Sequence, residues 1–266
     1  MLPKVHSSCL PSVPKRAPRI VLSGQQRHEC GIIEAMSSLH IRSLGETPAS
    51  IWALDASRVR DLTASLSPTP GGGAISVFTA TLGLALVHKG ASISLKRVGE
   101  DIDRREALNQ LCETISLALS SISSLADDDS RAFQEYIGAR SLPRSSEQEK
   151  IARDAAMEVA ILQATRIPLA SAKNICRALD LAEAALNLSD RHLLYDIFGG
   201  AIIMQAASKA VLLNVGANVS LLADAEMRAS LETERTALER VSLERSDSIA
   251  RTFQARMSDS KDFSSQ

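Results

Sequence analysis

Residues 67–74, which read Ser-Pro-Thr-Pro-Gly-Gly-Gly-Ala, constrain the fold of this chain more than any other stretch. Pro68 and Pro70 fix their own φ angles and lack backbone N–H groups, so they exclude a helix at that point. The three glycines that follow carry no Cβ, so a ligand or another backbone can approach them closely. The stretch therefore predicts a stiff turn with a bare surface.

A long apolar run begins directly after this turn and exceeds the length of a single strand. It predicts a buried helix from Ala74 to about Arg97, whose free N–H groups and positive dipole end would face whatever occupies the turn. The alternative is a plain linker between two helices, because proline and glycine clusters are common in loops. Nucleotide-binding loops are excluded, since no Lys-Ser/Thr pair follows the glycines and no strand precedes them.

The composition of the chain favours an all-α fold. Apolar residues make up 45% of it but aromatic residues only 3%, so the core must consist of Ala, Leu, Ile and Val, which suit closely packed helices. Helical patterns cover residues 49–257, with no strand pattern and no repeat. We therefore predict an up-and-down bundle of long helices. The net charge of −1 provides no general attraction to nucleic acid or to an anionic membrane.

Helix boundaries in the second half follow from breaks in the apolar pattern. A stripe at steps of three and four residues runs from Leu108 to Leu125. Pro143 ends that helix, and Pro168 is expected to interrupt the next one. Residues 197–219 are apolar enough to span a membrane, but polar interruptions and the missing aromatic belt favour a helix inside the bundle. Residues 222–255 predict a charged helix.

The ends of the chain differ from its middle. Residues 1–48 hold five prolines and many serines, and the first 28 residues contain no acid. They lack the apolar region of a secretory signal, and their prolines oppose the amphipathic helix of an organelle transit peptide. We expect a disordered extension or a start codon assigned too early, with organelle import as the alternative, and a loose tail over 258–266. Four cysteines without C-x-x-C spacing indicate a cytoplasmic protein with reduced thiols.

Three consecutive acids, Asp127, Asp128 and Asp129, follow the apolar stripe. Such a run is often a solvated cap or loop. Ala132 and Phe133 restore an apolar face at once, however, so if the helix continues, Asp129 lies one turn before Phe133 on the packed side. A carboxyl group there would have a raised pKa, which suits general acid/base catalysis. The residues alone leave both interpretations open.

Several ordered motifs together resemble the cyclodeaminase/cyclohydrolase family over residues 50–250. The most specific is the Ser-Pro-Thr-Pro-Gly-Gly-Gly block, and residues 129–133 are similar to the family's Asp-x-x-Ala-Phe. The other matching segments are Leu142-Pro143 with Glu149-Lys150, Ala164-Thr165 with Pro168-Leu169, and Asp196 ahead of Asn214-Val215 and Asn218.

This resemblance implies a dimeric helical enzyme that acts on a tetrahydrofolate derivative, as a methenyltetrahydrofolate cyclohydrolase or a formiminotetrahydrofolate cyclodeaminase. Both reactions pass through a tetrahedral carbon between N5 and N10, where a carboxylate can stabilise a cation and transfer a proton. It implies Asp129 and then Asp196 as catalytic carboxylates. The five scattered histidines form no metal-ligand cluster, so we expect no metal, and the net charge leads us to expect no nucleic acid or membrane partner. The substrate-binding residues that the resemblance implies are Ser67, Thr69, Gly71, Gly72, Gly73, Asn214 and Lys96.

Three positions depart from the family pattern. Tyr195 stands where the family carries Ser, Ser189-Asp190 replaces Gly-Asn, and the basic run after the first long helix is reduced to Lys96-Arg97. These changes motivate an alternative, in which the chain is a catalytically weakened relative that binds folate or a protein partner as a helical dimer. Between the two reactions, the lack of a recognisable formimidoyltransferase domain slightly favours the cyclohydrolase.

Overall fold

The structure, a computed structural model, describes residues 50–258. The expectations for residues 1–48 and 259–266 lie outside this range. The described residues contain no strand, which confirms the all-α prediction. The helices are α1 (Ala56–Thr63), α2 (Gly72–Arg97), α3 (Ile102–Arg140), α4 (Glu147–Leu188), α5 (Leu194–Val219) and α6 (Ala225–Ser258), with 3₁₀ turns at Ile51–Ala53 and Arg191–Leu193.

Helices α2 to α5 form a closed four-helix bundle. Each packs along the next in sequence, and α5 packs back against α2, while α6 lies outside against α4 and α5. Because the connections are short, consecutive helices run in opposite directions. The core between them consists mainly of Ala, Leu, Ile and Val side chains. The predicted up-and-down arrangement is therefore the observed one.

Helices α2 and α5 approach most closely at a pair of glycines. A Cβ on Gly83 would lie only 2.7 Å from the backbone oxygen of Gly200, and a Cβ on Gly90 would lie 2.5 Å from Cγ1 of Ile197. Small residues at these positions let the two helix axes come together. Since the helices run antiparallel, this packing brings the start of α2 beside the end of α5.

Two segments of the described part of the chain are long and apolar enough to cross a membrane, Gly72–Arg97 and Arg191–Val219. About half of each apolar window is buried inside the protein. Both helices belong to the four-helix core, so their apolar character is weak evidence for a membrane span.

Helix α4 runs without interruption from Glu147 to Leu188, so the predicted break at Pro168 is wrong. A proline inside a helix removes the N–H that would bond to the carbonyl four residues earlier, which here is the carbonyl of Ala164. The side chain of Asn218 on α5 replaces that donor, with Nδ2 2.7 Å from the Ala164 oxygen. The helix therefore tolerates the proline because a neighbouring helix satisfies the carbonyl.

Unequal helix lengths decide where the turn of residues 67–74 meets the bundle. Helix α3 has 39 residues and α2 has 26, which correspond to about 58 Å and 39 Å at 1.5 Å per residue. The two helices run antiparallel, so α3 extends beyond the start of α2. Asp129 of α3 lies level with Gly73 at that start.

Candidate active site

The turn before α2 is held by its own hydroxyl groups. Ser67 Oγ donates to the backbone oxygen of Thr69 at 2.7 Å, and the Ser67 N–H donates to Ser65 Oγ at 3.0 Å. Gln134 of α3 donates from Nε2 to Thr69 Oγ1 at 3.4 Å. The Thr69–Pro70 peptide bond is cis. Ser67 and Thr69 therefore shape the turn and attach it to α3, and the structure does not place them on the wall of the cavity described below.

The carboxylate of Asp129 lies directly against Gly73. A Cβ on Gly73 would be 2.6 Å from Cγ of Asp129, a separation that no real side chain tolerates. None of the glycines in the described range has a positive φ, so the glycine is required for space rather than for backbone conformation. The backbone N–H of Ala74 lies near the carboxylate and favours its ionised form. An N–H group at the start of α2 therefore lies near the carboxylate of Asp129.

A cavity of about 230 Å³ opens at this point. Its volume is below the range of roughly 300–1,000 Å³ that encloses a whole drug-sized ligand, so it suits a ring system with the rest of the ligand outside. The turn, α3, α4 and α5 all contribute to its wall. The lining residues are Pro68, Gly71, Gly72, Gly73, Asp129, Phe133, Ala164, Asn214 and Asn218.

Burial is the main influence on the charge of Asp129. Desolvation raises the pKa of this carboxyl from 3.8 to about 6, and the nearby Ala74 N–H opposes part of that rise. A pKa near the working pH is what an efficient proton-transfer group requires. Asp129 is therefore mostly ionised at neutral pH and accepts a proton readily.

The three consecutive acids have three different environments, and all lie inside the continuous helix α3, so the interpretation as a solvated cap or loop is wrong. Asp127 accepts hydrogen bonds from Ser50 Oγ at 2.7 Å and from the Ile51 N–H at 2.8 Å, which attaches the start of the described chain to α3. Asp128 forms an exposed ion pair with Arg131 at 2.9 Å. Only Asp129 lines the cavity.

Two amide side chains of α5, one helical turn apart, line the opposite wall of the cavity. Asn214 lies over the start of α2, where a Cβ on Gly72 would be 3.8 Å from its Nδ2 atom. Its Nδ2 makes only a long hydrogen bond of 3.4 Å to the backbone oxygen of Ala210. Asn218 is anchored to Ala164, as described above. The cavity therefore combines one carboxylate, two amides and bare backbone.

The sequence prediction missed four residues of this wall: Pro68, Phe133, Ala164 and Asn218. Two of them carried a usable signal. Phe133 follows Asp129 by four residues on the same helix, and Asn218 follows Asn214 by four, so each lies on the same helix face as a predicted site residue. Pro68 belongs to the predicted turn, and Ala164 lies in a segment that matches the family, although its sequence pattern did not indicate a place near the turn.

The structure does not bring Asp196 and Lys96 to this cavity. Asp196 pairs with Lys89 at 3.2 Å near the other end of α2, about 24 Å along the helix from Gly73 at 1.5 Å per residue. Lys96 lies farther still, about 35 Å from Gly73 by the same rise. Within one chain, neither residue shares the pocket of Asp129.

The residues that depart from the family pattern lie at that far end too. Tyr195 is exposed and packs edge-on against Phe253 at 5.5 Å between ring centroids. Asp190 pairs with Arg104 at 2.7 Å, and Ser189 is buried. None of these residues lines the cavity. Within residues 50–258, no group of three or more His, Cys, Asp or Glu side chains is arranged to hold a metal ion.

Comparison with known proteins identifies the family. The family model described as formiminotransferase-cyclodeaminase matches residues 56–237, the range that holds the turn and all the cavity residues. The chain belongs to the formiminotransferase-cyclodeaminase family. The match spans helices α1 to α5 and the first part of α6.

Curated relatives of this family member include a bacterial and a mammalian enzyme. It is 30% identical over 162 residues to the methenyltetrahydrofolate cyclohydrolase of Methylorubrum extorquens, covering 60% of this chain and 77% of that protein. It is 33% identical over 112 residues to the formimidoyltransferase-cyclodeaminase of Sus scrofa, covering 42% of this chain but only 20% of that protein. The match to the mammalian enzyme therefore concerns a minor part of its length.

A solved structure shares the fold of this family member. The crystal structure of formiminotetrahydrofolate cyclodeaminase from Thermotoga maritima superposes with a TM-score of 0.68 at 20% sequence identity. The alignment covers 77% of this chain and 98% of that one. At this identity the likeness concerns the helical fold alone.

Proposed function

We propose that this chain is a folate one-carbon enzyme, a methenyltetrahydrofolate cyclohydrolase, that uses Asp129 as its acid/base group. The observation that carries the proposal is the placement of Asp129 against Gly73 in a small cavity, where burial raises its pKa to about 6. A carboxylate in a poorly solvated cavity stabilises a neighbouring cation more strongly than it would in water. The methenyl group of the substrate is such a cation.

The reaction needs a proton acceptor beside the carbon that bridges N5 and N10. In the proposed mechanism, Asp129 takes a proton from water while the oxygen of that water bonds to the bridging carbon. The resulting tetrahedral carbon then breaks one of its two C–N bonds, and Asp129 returns its proton to the departing nitrogen. The carbinol hydroxyl loses its proton to solvent as the formyl group forms, so one proton is released per turnover. Such proton transfer contributes about 10²–10⁴-fold to a rate.

The wall of the cavity suits a flat heterocycle. The backbone of Gly71 to Gly73 forms one surface, and the ring of Phe133 lies at the edge of the same cavity. The amides of Asn214 and Asn218 are placed to hydrogen-bond with the rim of such a ring. The cavity would then hold the pterin head of the folate, with the remainder of the molecule outside.

The cyclohydrolase is placed first because this chain is 30% identical over 162 residues to a bacterial enzyme of that name, covering 77% of it. Formiminotetrahydrofolate cyclodeaminase is the second candidate, because the animal relatives are 24% to 33% identical over the regions they share. The weakened-relative alternative is less well supported, since Tyr195, Ser189 and Asp190 lie away from the cavity.

The deciding experiment measures turnover of methenyltetrahydrofolate and of formiminotetrahydrofolate side by side, following loss or gain of the methenyl chromophore. Asp129→Asn should lose about 10²–10⁴-fold in turnover, while Asp128→Asn, which removes an exposed ion pair, serves as the matched control. Equal rates in the wild type and Asp129→Asn would remove Asp129 from the mechanism. Asp196→Asn and Lys96→Ala in the same assay test the predicted roles of those residues.

A homodimer is the oligomeric state that this proposal includes. The packed pair α2 and α5 exposes a set of large apolar side chains to solvent, among them Leu82, Ile202 and Leu213. A second copy of the chain would cover this face. Sedimentation should show a dimer that Leu82→Glu or Ile202→Glu converts to a monomer. The control Ile102→Glu changes an exposed apolar residue on α3 and should leave the dimer intact, and a monomeric wild type would contradict the proposal. A cytoplasmic location stays a prediction.

A further inference from the structure

The carbonyl of Ala164 is available to another part of the molecule because of Pro168. In a regular helix this oxygen would accept a hydrogen bond from the N–H of residue 168, but proline has none. Asn218 Nδ2 donates to it instead at 2.7 Å. Ala164 and Asn218 both line the cavity beside Asp129. The missing N–H of Pro168 therefore affects two residues of the cavity wall, Ala164 and Asn218.

This hydrogen bond determines which way the Asn218 amide faces. A backbone carbonyl can only accept, so the atom of Asn218 that faces it must be the NH₂ group, and the amide oxygen Oδ1 must face elsewhere. No side chain or backbone N–H within residues 50–258 donates to Asn218 Oδ1. Asn218 is half-buried in the cavity wall, so the bond to Ala164 fixes the orientation of its amide and leaves the oxygen as an acceptor.

Asn214 offers an internal comparison. Its Nδ2 atom reaches the Ala210 oxygen only at 3.4 Å, and Ala210 lies in a stretch of α5 that contains no proline. The Ala210 carbonyl therefore keeps its regular hydrogen bond within the helix. The side-chain amide of Asn214 only shares this acceptor. Of the two amides on the wall, Asn218 is the one whose orientation the fold imposes.

We propose that Pro168 is a positioning residue that fixes Asn218 as a hydrogen-bond acceptor for the donor edge of the ligand. The chemistry recognised is a flat heterocycle with adjacent ring N–H and exocyclic NH₂ groups, as on a pterin. Asn218 contacts the ligand, whereas Pro168 acts only through the Ala164 carbonyl. The inference rests on the proposed function and adds to it the residue that selects the pterin edge.

A double-mutant cycle tests this inference on the full chain. Pro168→Ala supplies an N–H at position 168, which takes over the Ala164 carbonyl and releases the Asn218 amide. The KM for the folate substrate should rise about three- to tenfold, the range expected for a hydrogen bond of ordinary strength, while kcat stays within about twofold of the wild type. Alanine favours a helix interior over proline, which offsets the loss of buried side-chain atoms at position 168, so the melting temperature should change little. Pro143→Ala, in the exposed turn before α4, is the matched control and should leave KM unchanged.

The second arm of the cycle uses Asn218→Leu. This variant removes the ligand's acceptor and leaves the Ala164 carbonyl without a donor, so both KM and thermal stability should worsen. Adding Pro168→Ala should then restore the melting temperature, because the backbone N–H gained at position 168 satisfies the carbonyl, but should not change KM further. The deciding result is a KM that Pro168→Ala raises in the wild-type background and leaves unchanged in the Asn218→Leu background, because a purely structural role of Pro168 would not make its effect on KM depend on Asn218.

Two results would overturn the inference while leaving the proposed function intact. One is wild-type turnover with an unchanged KM in Pro168→Ala. The other is an equal rise of KM on adding Pro168→Ala in the wild-type and the Asn218→Leu backgrounds. A wild-type chain that neither binds nor converts either folate would instead remove the proposed function, and the inference with it.

Discussion

The carboxylate of Asp129 occupies the space in which a side chain at Gly73 would lie. One residue belongs to the middle of α3 and the other to the first turn of α2, 56 positions apart in the sequence. The missing Cβ lets the acid approach the start of a helix, where the nearby Ala74 N–H favours its ionised form. The glycine turn and Asp129 therefore form one structural unit.

Replacement of Gly73 by alanine should displace the carboxylate of Asp129, the proposed acid/base group. The added Cβ would lie 2.6 Å from Cγ of Asp129, so the acid or the start of α2 must move. Misplacement of a reacting group by about 1 Å can cost about 10²-fold in rate, and we expect a loss of that order in kcat. Gly138→Ala is the control, because a Cβ there meets nothing within 4 Å. A Gly73→Ala enzyme with normal kcat would show that the contact is irrelevant to turnover.

Activity should fall as the pH drops below about 6. The pKa of Asp129 is raised to about 6 by burial, and the proposed mechanism requires its ionised form. Below that pH, kcat/KM should decrease about tenfold per pH unit. Rates measured between pH 5 and pH 8 test this, with the residual activity of Asp129→Asn expected to lack the inflection. A wild-type profile that is flat across pH 6 would contradict the assignment of Asp129 as the base.

Folding stability should depend on the same carboxyl group, with the opposite pH trend. Its folded pKa of about 6 exceeds the ordinary 3.8, so the folded state binds this proton more tightly than the unfolded state does. The resulting stabilisation is complete below pH 3.8 and is lost as the pH rises through 6. The shift of about two units corresponds to at most about 3 kcal/mol in the free energy of unfolding.

Asp129→Asn should therefore be more stable than the wild type at pH 7.5, and the difference should disappear near pH 4. Urea denaturation at the two pH values measures it. Asp128→Asn provides the comparison, since its exposed pair with Arg131 should contribute no more than about 1 kcal/mol. An Asp129→Asn variant that is less stable than the wild type at pH 7.5 would show that the ionised carboxylate stabilises the fold.

Phe133 should contribute to substrate affinity and little to stability. Its ring is 39% exposed and lies outside the hydrophobic core, with Tyr136 at 6.1 Å between ring centroids. Stacking between aromatic rings is worth about 0.5–1.5 kcal/mol, so Phe133→Leu should raise KM about two- to twelvefold with kcat nearly unchanged. Phe133→Tyr keeps the ring and should keep the KM. Equal KM values for Leu and Phe at this position would exclude stacking.

Sequence patterns located the helices, the turn and the helical face that carries Asp129, because each of these depends on neighbours within about one turn of chain. The same patterns could not assign Asp127, Asp128 and Asp129 their separate partners, since Ser50 and Gly73 lie far away in the sequence. For the same reason, the sequence could suggest Asp196 as a second catalytic carboxylate but not its position, which within one chain is at the opposite end of α2, beside Lys89.

Pro168 shows the difference between what the local sequence predicts and what the tertiary structure decides. The sequence alone shows that this residue lacks a backbone N–H, and this predicts a broken helix. Only the tertiary structure supplies Asn218, 54 residues from Ala164, as the donor that keeps the helix intact and lines the cavity. Local periodicity determined which elements form, and the packing of α2, α3, α4 and α5 decided which side chains meet, because contacts between distant residues depend on helix lengths and directions that no short pattern contains.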